Sequence, residues 1–540
     1  MSKFVFVTGG VVSSLGKGIT AASLGRLLIE RGLKVNVLKL DPYLNVDPGN
    51  MDPEQHGEVF VTVDGCETDL DLGHYERFLD INCTKNSSCT SGKIYSSIIS
   101  KQIAGDYAGA TIQVVPHVTS EIKSVMRNAA DKDSDVVIIE IGGTVGDMEG
   151  LAFLEAIRQI TRELGVGNYV HIHCTLVPYL ESAGEVKTKP TQHSVKELTS
   201  LGLSPDIIVC RTNKGVELND HNKKKLAMFC NLDSQDCVIH NPDCSSIYEV
   251  PLILAHQGLD RLVCTKLGLA GTAMNLTNWR QMVDDMNTDL PTLNIAIVGK
   301  YTEVRDSYIS VIEAIKHAAL KCKHKAKISI ISSEDIEVCG AKEMLKGYDG
   351  IVVPGGFGAK GTEGKIMTAE YCRVNKVPFL GIGLGMQMAV VEFARNVAQL
   401  RDANSTEFAP ATPYPVIDVQ EEARAMGNTS GFMRLGNYPC TLLEGSLVRR
   451  LYGLPEIQER HRNGFEFNNE YRDKFTELGM ILSGVNNQDN LVEMIEYSDH
   501  PYFVASQFHP EFNSRPYKAH PLFVGFVNGC ITISNRPSIY

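Results

Sequence analysis

The residues with the clearest chemical meaning surround Gly383, in the run GIGLGMQ at residues 381–387. The apolar run before it predicts a strand, and the residues after it predict a helix. A strand-to-helix turn between glycines is how α/β enzymes expose a nucleophile and aim helix N–H groups at an oxyanion. Downstream, His509-Pro510-Glu511 offers a general base with a carboxylate to orient it. Because glycine has no side chain, the sequence predicts an acyl-transfer site that keeps its base and lacks its nucleophile.

A second site is predicted from the glycine-rich run TGGVVSSLGKGIT at residues 8–20, which follows an apolar strand pattern and opens a helix. Such a loop binds phosphates through backbone N–H groups and the helix dipole, and Lys17 adds a positive charge. The run departs from the GxxxxGK[ST] pattern, because Val11 stands at its first glycine and Gly18 at its Ser/Thr. The alternative interpretation is a glycine-rich turn with a surface lysine.

Acidic residues lie at the ends of predicted strands, in the runs TDLDLG at 68–73 and EIGGTVGD at 140–147. They are placed to hold Mg²⁺ beside the phosphates. Glu140 is the stronger candidate for a metal ligand, because it ends an apolar run that is predicted to be buried. Lys187 and Lys189 stand at alternate positions and suit a second polyphosphate. The alternatives are helix caps or surface charges for the acids and a solvated basic turn for the lysines.

Length and composition limit the class of protein. A chain of 540 residues is too long for one hydrophobic core, so two domains of roughly 250 residues are expected. The hydrophobic content of 43% indicates globular domains, and no apolar run approaches the ~20 residues of a membrane span. The net charge of -12 disfavours nucleic acid as a partner. Fourteen cysteines without CxxC pairs indicate reduced thiols, and with no signal-peptide pattern they predict a cytoplasmic protein.

The elements that must position these sites alternate between short β-branched runs and helical segments. This alternation predicts the α/β class, with two doubly wound domains that carry parallel sheets covered on both faces. Ligands in such sheets gather at the carboxyl ends of strands. We expect a first domain over 1–275, a linker over 276–293 that contains Pro291, and a second domain over 294–540.

At these motifs the chain closely resembles the CTP synthase family. The matching runs include TGGVVSSLGKG, KLDPYLNVDPG, QHGEVFVTVDG, EIGGTVGD and GEVKTKPTQHSVKEL in the first half, and VPGGFG, DANSTEF and QFHPEF in the second. The likeness covers essentially the whole chain. It implies a ligase of pyrimidine biosynthesis, in which a P-loop-like amidoligase domain is joined to a class I glutamine amidotransferase domain. In the family, ATP phosphorylates O4 of UTP, and ammonia then displaces the phosphate to give CTP.

The resemblance also implies roles for residues of the first half. Lys17 and Lys39 would stabilise the transferring phosphoryl group, while Asp71 and Glu140 would bind Mg²⁺. His56 would belong to the passage for ammonia, and a packed structural histidine is the alternative. The ATP-binding positions would be Ser14, Leu15, Gly16, Lys17, Gly18, Ile19 and Asp71. The UTP and CTP positions would be Ser13, Asp147, Met148, Glu149, Lys187, Thr188, Lys189, Pro190, Thr191, Gln192 and Lys225.

In the second half the resemblance implies a glutamine site from which this chain departs. The family makes ammonia there through a cysteine thioester with glutamine, and Gly383 holds the cysteine position. The family has histidine and arginine in place of Asn463 and Gly464, and it usually reads Gly-Gly-Thr-Met-Arg at 430–434. His509 and Glu511 would be the base and its carboxylate. The other glutamine-site positions would be Gly355, Gly356, Leu384, Gly385, Met386, Gln387, Glu407 and Gly464.

These departures favour a CTP synthase that uses free ammonia, with negligible glutaminase activity. One alternative is an ordinary glutamine-dependent enzyme with an engineered Cys-to-Gly change. Others are a non-catalytic regulatory paralogue and an amidoligase for a different nucleotide. The implied partners are UTP, ATP with Mg²⁺, and ammonia, with GTP as a candidate allosteric effector. A homotetramer and filaments are also implied.

Overall fold

The computed structural model describes residues 2–131 and 133–534. The chain forms two compact units, and the division does not follow the chain in simple order. The first unit comprises Met1–Pro48 and Asp71–Asp284, and the second comprises Gly49–Leu70 and Asp285–Tyr540. The segment Gly49–Leu70, which the sequence assigned to the first domain, therefore groups with the second unit. Helix Thr277–Asn287 occupies most of the segment predicted as a linker.

A seven-stranded sheet forms the centre of the first unit, and all its strand pairs are parallel. A parallel sheet needs a crossover after each strand, and the helical segments of the sequence supply these crossovers. In spatial order the strands are Val238–Pro242, Ile207–Thr212, Tyr169–Leu176, Lys3–Gly9, Val136–Ile141, Val35–Asp41 and Ser88–Thr90. A short antiparallel pair, Tyr179–Leu180 with Glu185–Val186, lies apart from this sheet.

Helices bury the apolar residues of this sheet. Phe4 and Phe6 pack in one core cluster with Val137 and Ile139 of the adjacent strand. Alternate positions of each strand thus face the same helices. The helices of the first unit are Lys17–Glu30, Asp71–Leu79, Ser91–Ala104, Thr119–Asn128, Leu151–Leu164, Lys189–Ser200, Asp220–Phe229, Val250–His256, Leu259–Leu267 and the start of Thr277–Asn287.

The second unit contains a nine-stranded mixed sheet. Five neighbouring strands are parallel and carry the elbow, and antiparallel strands extend the sheet at one side. In spatial order they are Lys325–Ser332, Thr292–Gly299, Gly350–Val353, Phe379–Ile382, Phe503–Ser506, Leu491–Tyr497, Met480–Asn486, Arg434–Leu442 and Glu456–Asn463. Smaller sheets join Ala403–Ser405, Tyr414–Asp418 and Glu466–Phe467, and join Phe60–Val61 with Glu67–Thr68.

Both faces of this sheet are covered by helices. Ile295 and Ile297 belong to one core cluster, and Ala296 and Val298 belong to the cluster on the opposite face. This alternation is the period of two expected of a strand buried on both sides. The helices of the second unit are Pro53–His56, Ile309–Lys321, Ser333–Cys339, Ala341–Leu345, Thr362–Asn375, Leu384–Asn396, Glu421–Ala425, Leu447–Tyr452, Arg472–Glu477 and Pro521–Ser534.

The predicted α/β class is confirmed, and the parallel sheet of the first unit is as expected. The antiparallel extension of the second sheet was not predicted. All fourteen cysteines are free thiols, in agreement with the sequence. Within the described ranges, none of the helices has the length and apolarity that crossing a membrane requires.

Candidate functional site

The predicted phosphate loop runs from strand Lys3–Gly9 to helix Lys17–Glu30. Val11 and Ser14 have φ angles of 86° and 57°, a conformation that residues with side chains rarely adopt and that is found at ligand-binding loops. Lys17 is buried at the helix start, and its Nζ donates a hydrogen bond of 2.8 Å to the carbonyl of Gly143. The lysine is thereby fixed between the loop and the turn that follows Glu140.

Lys39 joins the two acids predicted to hold Mg²⁺. It lies on strand Val35–Asp41, directly beside Glu140 of the neighbouring strand. Its Nζ donates to Oε1 of Glu140 at 3.0 Å and to Oδ2 of Asp71, which begins a helix. The hydroxyl of Tyr75 donates to Oε2 of Glu140. The structure therefore brings Lys39, Asp71 and Glu140 together, although they are far apart in the sequence.

The two acids differ in their electrostatic setting. Burial raises the pKa of Glu140 above its ordinary value, against the opposing charge of Lys39. Burial acts on Asp71 in the same direction, but Lys39, His74 and Lys17 outweigh it and lower the pKa of Asp71. Asp71 is thus the more readily ionised of the two carboxyl groups.

This pair of carboxylates fits Mg²⁺ that arrives with a nucleotide. Such an ion is usually held by one or two carboxylates together with substrate phosphates. Across residues 2–131 and 133–534, no group of three or more His, Cys, Asp or Glu side chains is placed to hold a metal. Gly18 in the phosphate loop lies against the carboxylate of Asp71, which any Cβ at that position would meet. The donor set is therefore that of a shared ion beside the loop and not of a complete protein cage.

The positions predicted for UTP and CTP lie after strands and at one helix start. The backbone N–H of Thr144 donates to Oδ2 of Asp147 at 3.0 Å, which orders the turn after strand Val136–Ile141. Thr191 is fully buried, and its hydroxyl donates to the carbonyl of Leu176 at 3.0 Å. Thr188 is also buried. The remaining positions are at least partly accessible to solvent, and they are Ser13, Met148, Glu149, Lys187, Lys189, Pro190, Gln192 and Lys225.

Arg211 is a residue of this region that the sequence reasoning missed. It lies on strand Ile207–Thr212, and its guanidinium approaches to 3.0 Å of the place where a Cβ of Gly16 would stand. Arg211 also pairs with Asp243. A basic residue near the carboxyl end of a strand in the same parallel sheet was the signal that could have found it.

The predicted elbow is present in the second unit. Strand Phe379–Ile382 ends at Gly383, and helix Leu384–Asn396 follows at once. Gly383 has φ of 53° and ψ of -113°, and its N–H donates to the carbonyl of Ser506 at 2.8 Å. A Cβ built on Gly383 would lie 3.2 Å from Nε2 of His509. The backbone therefore keeps the geometry of a nucleophile turn and directs the missing side chain at the base.

His509 and Glu511 form the predicted pair. Nδ1 of His509 lies 2.7 Å from Oε1 of Glu511, so the ring donates its Nδ1–H to the carboxylate and leaves Nε2 as the acceptor. The ring stacks on Phe512 at 5.3 Å between centroids, and the backbone N–H of His509 donates to the carbonyl of Arg460 at 2.7 Å. The orientation of the base is thus fixed by packing as well as by the carboxylate.

A cavity of about 40 Å³, which we call the elbow cavity, has Gly383 in its wall. This volume is close to the ~30 Å³ that one water molecule occupies. Gln387 is buried and donates from Nε2 to the carbonyl of Phe465 at 3.2 Å. Its Oε1 has no hydrogen-bond partner among the described residues. The cavity is lined by Gly355, Gly356, Phe357, Gly383, Leu384, Gln387, Glu407, Arg462, Asn463, Gly464, Phe465, Gln507 and His509.

Two departures from the family pattern contact each other in this wall. A Cβ at Gly464 would lie 2.7 Å from the carbonyl oxygen of Ser430, which is closer than real side chains approach. Gly431 has φ of 73°, and a Cβ there would clash with the carbonyl of Gly464. The loop at 430–431 therefore packs where a side chain at 464 would begin, and the two positions form one packing unit.

Lys300 and Glu407 lie behind the glycine loop that faces the elbow. Nζ of Lys300 donates to the carbonyl of Phe357 at 3.1 Å and also to that of Gly358, whose N–H donates to Glu407 at 3.0 Å. Burial lowers the pKa of Lys300 to about 8 and raises the pKa of Glu407. Of the predicted glutamine-site residues, Gly355, Gly356, Leu384, Gln387, Glu407 and Gly464 line the elbow cavity, and Gly385 and Met386 lie buried in the helix beside it.

A larger cavity of about 490 Å³ adjoins the elbow within the second unit. Its wall includes His509 and Glu511, and residues 49–53 and 58–59 also line it. His56 lies on the short helix Pro53–His56 between these two stretches. His56 is exposed and is not among the residues that line this cavity, and its role in ammonia passage stays a prediction.

Comparisons with known proteins agree along the whole chain. The family model described as CTP synthase N-terminus matches residues 3–269, and that of glutamine amidotransferase class-I matches residues 303–528. The CTP synthase of Caldanaerobacter subterraneus subsp. tengcongensis is 56% identical over 534 residues, which span 99% of each chain. The CTP synthase of Clostridium beijerinckii is 56% identical over 531 residues, or 98% of each chain. A solved Trypanosoma brucei CTPS glutaminase domain with bound acivicin is 33% identical, with a TM-score of 0.42, over 44% of this chain and 94% of its own.

Proposed function

The chain belongs to the CTP synthase family, and from that premise we propose that it aminates UTP to CTP with ATP and free ammonia. The first unit would carry the ligase reaction of pyrimidine biosynthesis. The second unit would keep the architecture of a glutaminase without its activity. We further propose the domain limits 1–275 and 294–540, which the two family matches at 3–269 and 303–528 support.

One observation carries the ligase half of the proposal. Lys39 is hydrogen-bonded to both Asp71 and Glu140, and Gly18 of the phosphate loop lies against Asp71. Lys17 and Lys39 would offset the charge that develops on the transferring phosphoryl group. Asp71 and Glu140 would hold Mg²⁺, which when bound neutralises charge on the phosphates of ATP.

The remaining residues of the first unit would bind and orient the nucleotides. Backbone N–H groups of the loop at Ser14–Ile19 would hold ATP phosphates, helped by the dipole of helix Lys17–Glu30. Arg211, beside Gly16, would add a second positive charge there. The positions around Asp147 and Lys187–Gln192 would hold UTP and CTP. Phosphorylation of O4 would turn a poor leaving group into a good one, so that ammonia bonds to C4 as phosphate departs.

The second part of the proposal is that the nitrogen source is free ammonia and not glutamine. Gly383 has no atom that can attack an amide, and Cys372 cannot replace it, because its thiol is fully buried in helix Thr362–Asn375. Burial also raises the pKa of Cys372 well above its ordinary value, which disfavours a thiolate. The backbone of Ser430 also packs against Gly464 and leaves little space for a side chain there, which supports a glutamine pocket changed at more than one position.

An isotope experiment tests the proposed reaction. UTP labelled with ¹⁸O at O4 would be incubated with protein, ATP, Mg²⁺ and ammonium chloride. We expect the label in inorganic phosphate, with one ADP for each CTP, because O4 leaves as part of the phosphate. CTP formation with the label lost to water would contradict the phosphorylated intermediate. Homotetramer and filament formation, GTP response and feedback inhibition by CTP stay predictions.

A further inference from the structure

The base of the elbow faces a space that a nucleophile would otherwise fill. Nδ1 of His509 donates to Glu511, so the lone pair of Nε2 points away from the carboxylate. The Cβ position of Gly383 lies 3.2 Å from this nitrogen. A hydrogen-bond acceptor is therefore directed into a cavity of about 40 Å³ that has room for one small molecule.

A second buried acceptor belongs to the same cavity. Gln387 is 4% exposed and lines the cavity, and its Oε1 has no hydrogen-bond partner among the described residues. An unsatisfied buried amide oxygen is costly, and a bound donor would remove that cost. Two acceptors carried by residues of the same cavity wall suit a small donor such as ammonium, which has four N–H groups and no acceptor.

The charges around His509 also favour a cation. Five carboxylates and three cationic groups line the two cavities that share His509 or lie behind the glycine loop, and one of these carboxylates, Glu67, is paired with Arg462. Burial lowers the pKa of Lys300 to about 8 and that of Lys365 well below its ordinary value, which weakens two of the three cations. The carboxylates are those of Glu511, which is close to His509 in the chain, Glu407 in the elbow cavity, and Asp52, Glu58 and Glu67 in the larger cavity. The cationic groups are Arg462 in the elbow cavity and Lys300 and Lys365 behind the glycine loop.

We propose that the elbow cavity binds ammonium and that His509 Nε2 takes a proton from it to release ammonia. One N–H bond of ammonium breaks and one N–H bond forms at Nε2, so the positive charge moves to the imidazole ring beside Glu511. The proton then leaves to water through the larger cavity, whose wall includes His509. The inference rests on the proposed ammonia-dependent function. The proton transfer would let the enzyme use ammonium as well as the small amount of free ammonia present near neutral pH.

The test measures kcat/KM for total ammonium in CTP formation from about pH 6.5 to about pH 9. The variants are His509→Gln and Gly383→Ala, whose methyl group would cover Nε2 without removing a titratable group. His500→Gln is the control, because this half-buried histidine bonds the carbonyl of Cys372 and lies outside the site. Thermal melting of each preparation reports folding, and Gly383→Ala decides the question if His509→Gln does not fold.

At about pH 7 we expect both site variants to lose about a hundredfold in kcat/KM, the lower end of what a positioned base contributes. Their kcat/KM should rise about tenfold per pH unit, following free ammonia, while the native protein shows a shallower slope. His500→Gln should match the native protein. Site variants that reproduce the native value at every pH would overturn this inference alone. No CTP from ammonium with the native protein at any pH would overturn the proposed function, and this inference with it.

Discussion

The phosphate loop of the first unit and the elbow of the second are built in the same way. Each lies where a parallel strand ends and a helix begins, at Gly9–Lys17 and at Ile382–Leu384. In the first, Lys39 bonds both predicted metal-binding acids, and Lys17 bonds the carbonyl of Gly143. In the second, the turn is present and the predicted base bonds the predicted carboxylate, but Gly383 has no side chain that could react. The sheet and its packing therefore preserve the geometry of a site independently of the group that does the chemistry.

Removing a charge from the first region should have the largest effect. In Lys17→Met the loop loses the ammonium group that lies against Gly143, and with it a positive charge for the phosphoryl group in transfer. We expect the rate of CTP formation from ammonium to fall on the order of 10²–10³-fold. Lys346→Met, on the exposed surface of the second unit, is the matched control. A rate within threefold, about 0.7 kcal/mol, of the native protein would show that the loop is only structural.

Restoring a nucleophile to the second region should have a smaller effect. In Gly383→Cys the new Cβ would stand 3.2 Å from Nε2 of His509, within reach of activation. Glutamine-dependent CTP formation should appear but remain about 100-fold below the ammonium-dependent rate of the native protein, because Gly464 offers no charged partner for the substrate. Gly383→Ala, which has the Cβ without the thiol, should show none. A glutamine-dependent rate in Gly383→Cys equal to the ammonium-dependent rate of the native protein would mean that position 464 is unimportant.

The contact between Gly464 and Ser430 predicts a stability effect. Gly464→Ala would force a methyl group to within 2.7 Å of the Ser430 carbonyl. We expect a loss of about 1–3 kcal/mol in the free energy of unfolding of the second unit, measured by thermal and urea unfolding. Gly150→Ala is the control, since a Cβ there meets nothing within 4 Å. Equal stability of the two variants would show that the loop at 430–431 does not restrict the side chain at position 464.

The smallest expected effect is on the pH dependence of folding stability, through the buried Glu466 behind the wall of the elbow cavity. Burial raises the pKa of Glu466 to about 7, above the ~4.3 of an exposed glutamate. The folded state thus holds this proton more tightly than the unfolded chain does. The stabilisation that this tighter proton binding at Glu466 contributes is complete below about pH 4 and is lost as the pH rises through about 7.

Glu466→Gln removes this titration while it keeps an acceptor for Arg434, whose NH1 donates to Glu466 at 3.0 Å. Between about pH 5 and about pH 7.5 we expect the variant to lose about 1–2 kcal/mol less stability than the native protein. Denaturant unfolding at each pH gives the comparison. Parallel pH curves for the two proteins would show that Glu466 stays ionised in the folded state.

Local patterns predicted much of this architecture. The apolar run Val136–Ile141 is a strand over the same residues, and the helix expected after Gly383 begins at Leu384. Such elements depend on short-range periodicity and on turn chemistry, both of which are legible in a sequence. The pairing of Glu511 with His509 was also predictable, because the two residues are close in the chain.

Contacts between distant segments could not be predicted in the same way. The bonds from Lys39 to Asp71 and Glu140 depend on strand order. The grouping of Gly49–Leu70 with the second unit involves contacts such as the bond from Arg460 to the carbonyl of Val61 at 3.0 Å. The approach of Ser430 to Gly464 is a contact between loops that no periodic pattern marks.

The contrast between the two regions is tested most directly by measuring CTP formation from UTP, ATP and Mg²⁺. The only nitrogen source is either ammonium chloride or glutamine, and both reactions are run in parallel on one preparation. We predict CTP from ammonium and less than about 1% of that rate from glutamine, because loss of a nucleophile can cost on the order of 10⁶ in rate. Equal rates from both sources would contradict our interpretation of Gly383. CTP from neither source would contradict the intact ligase site.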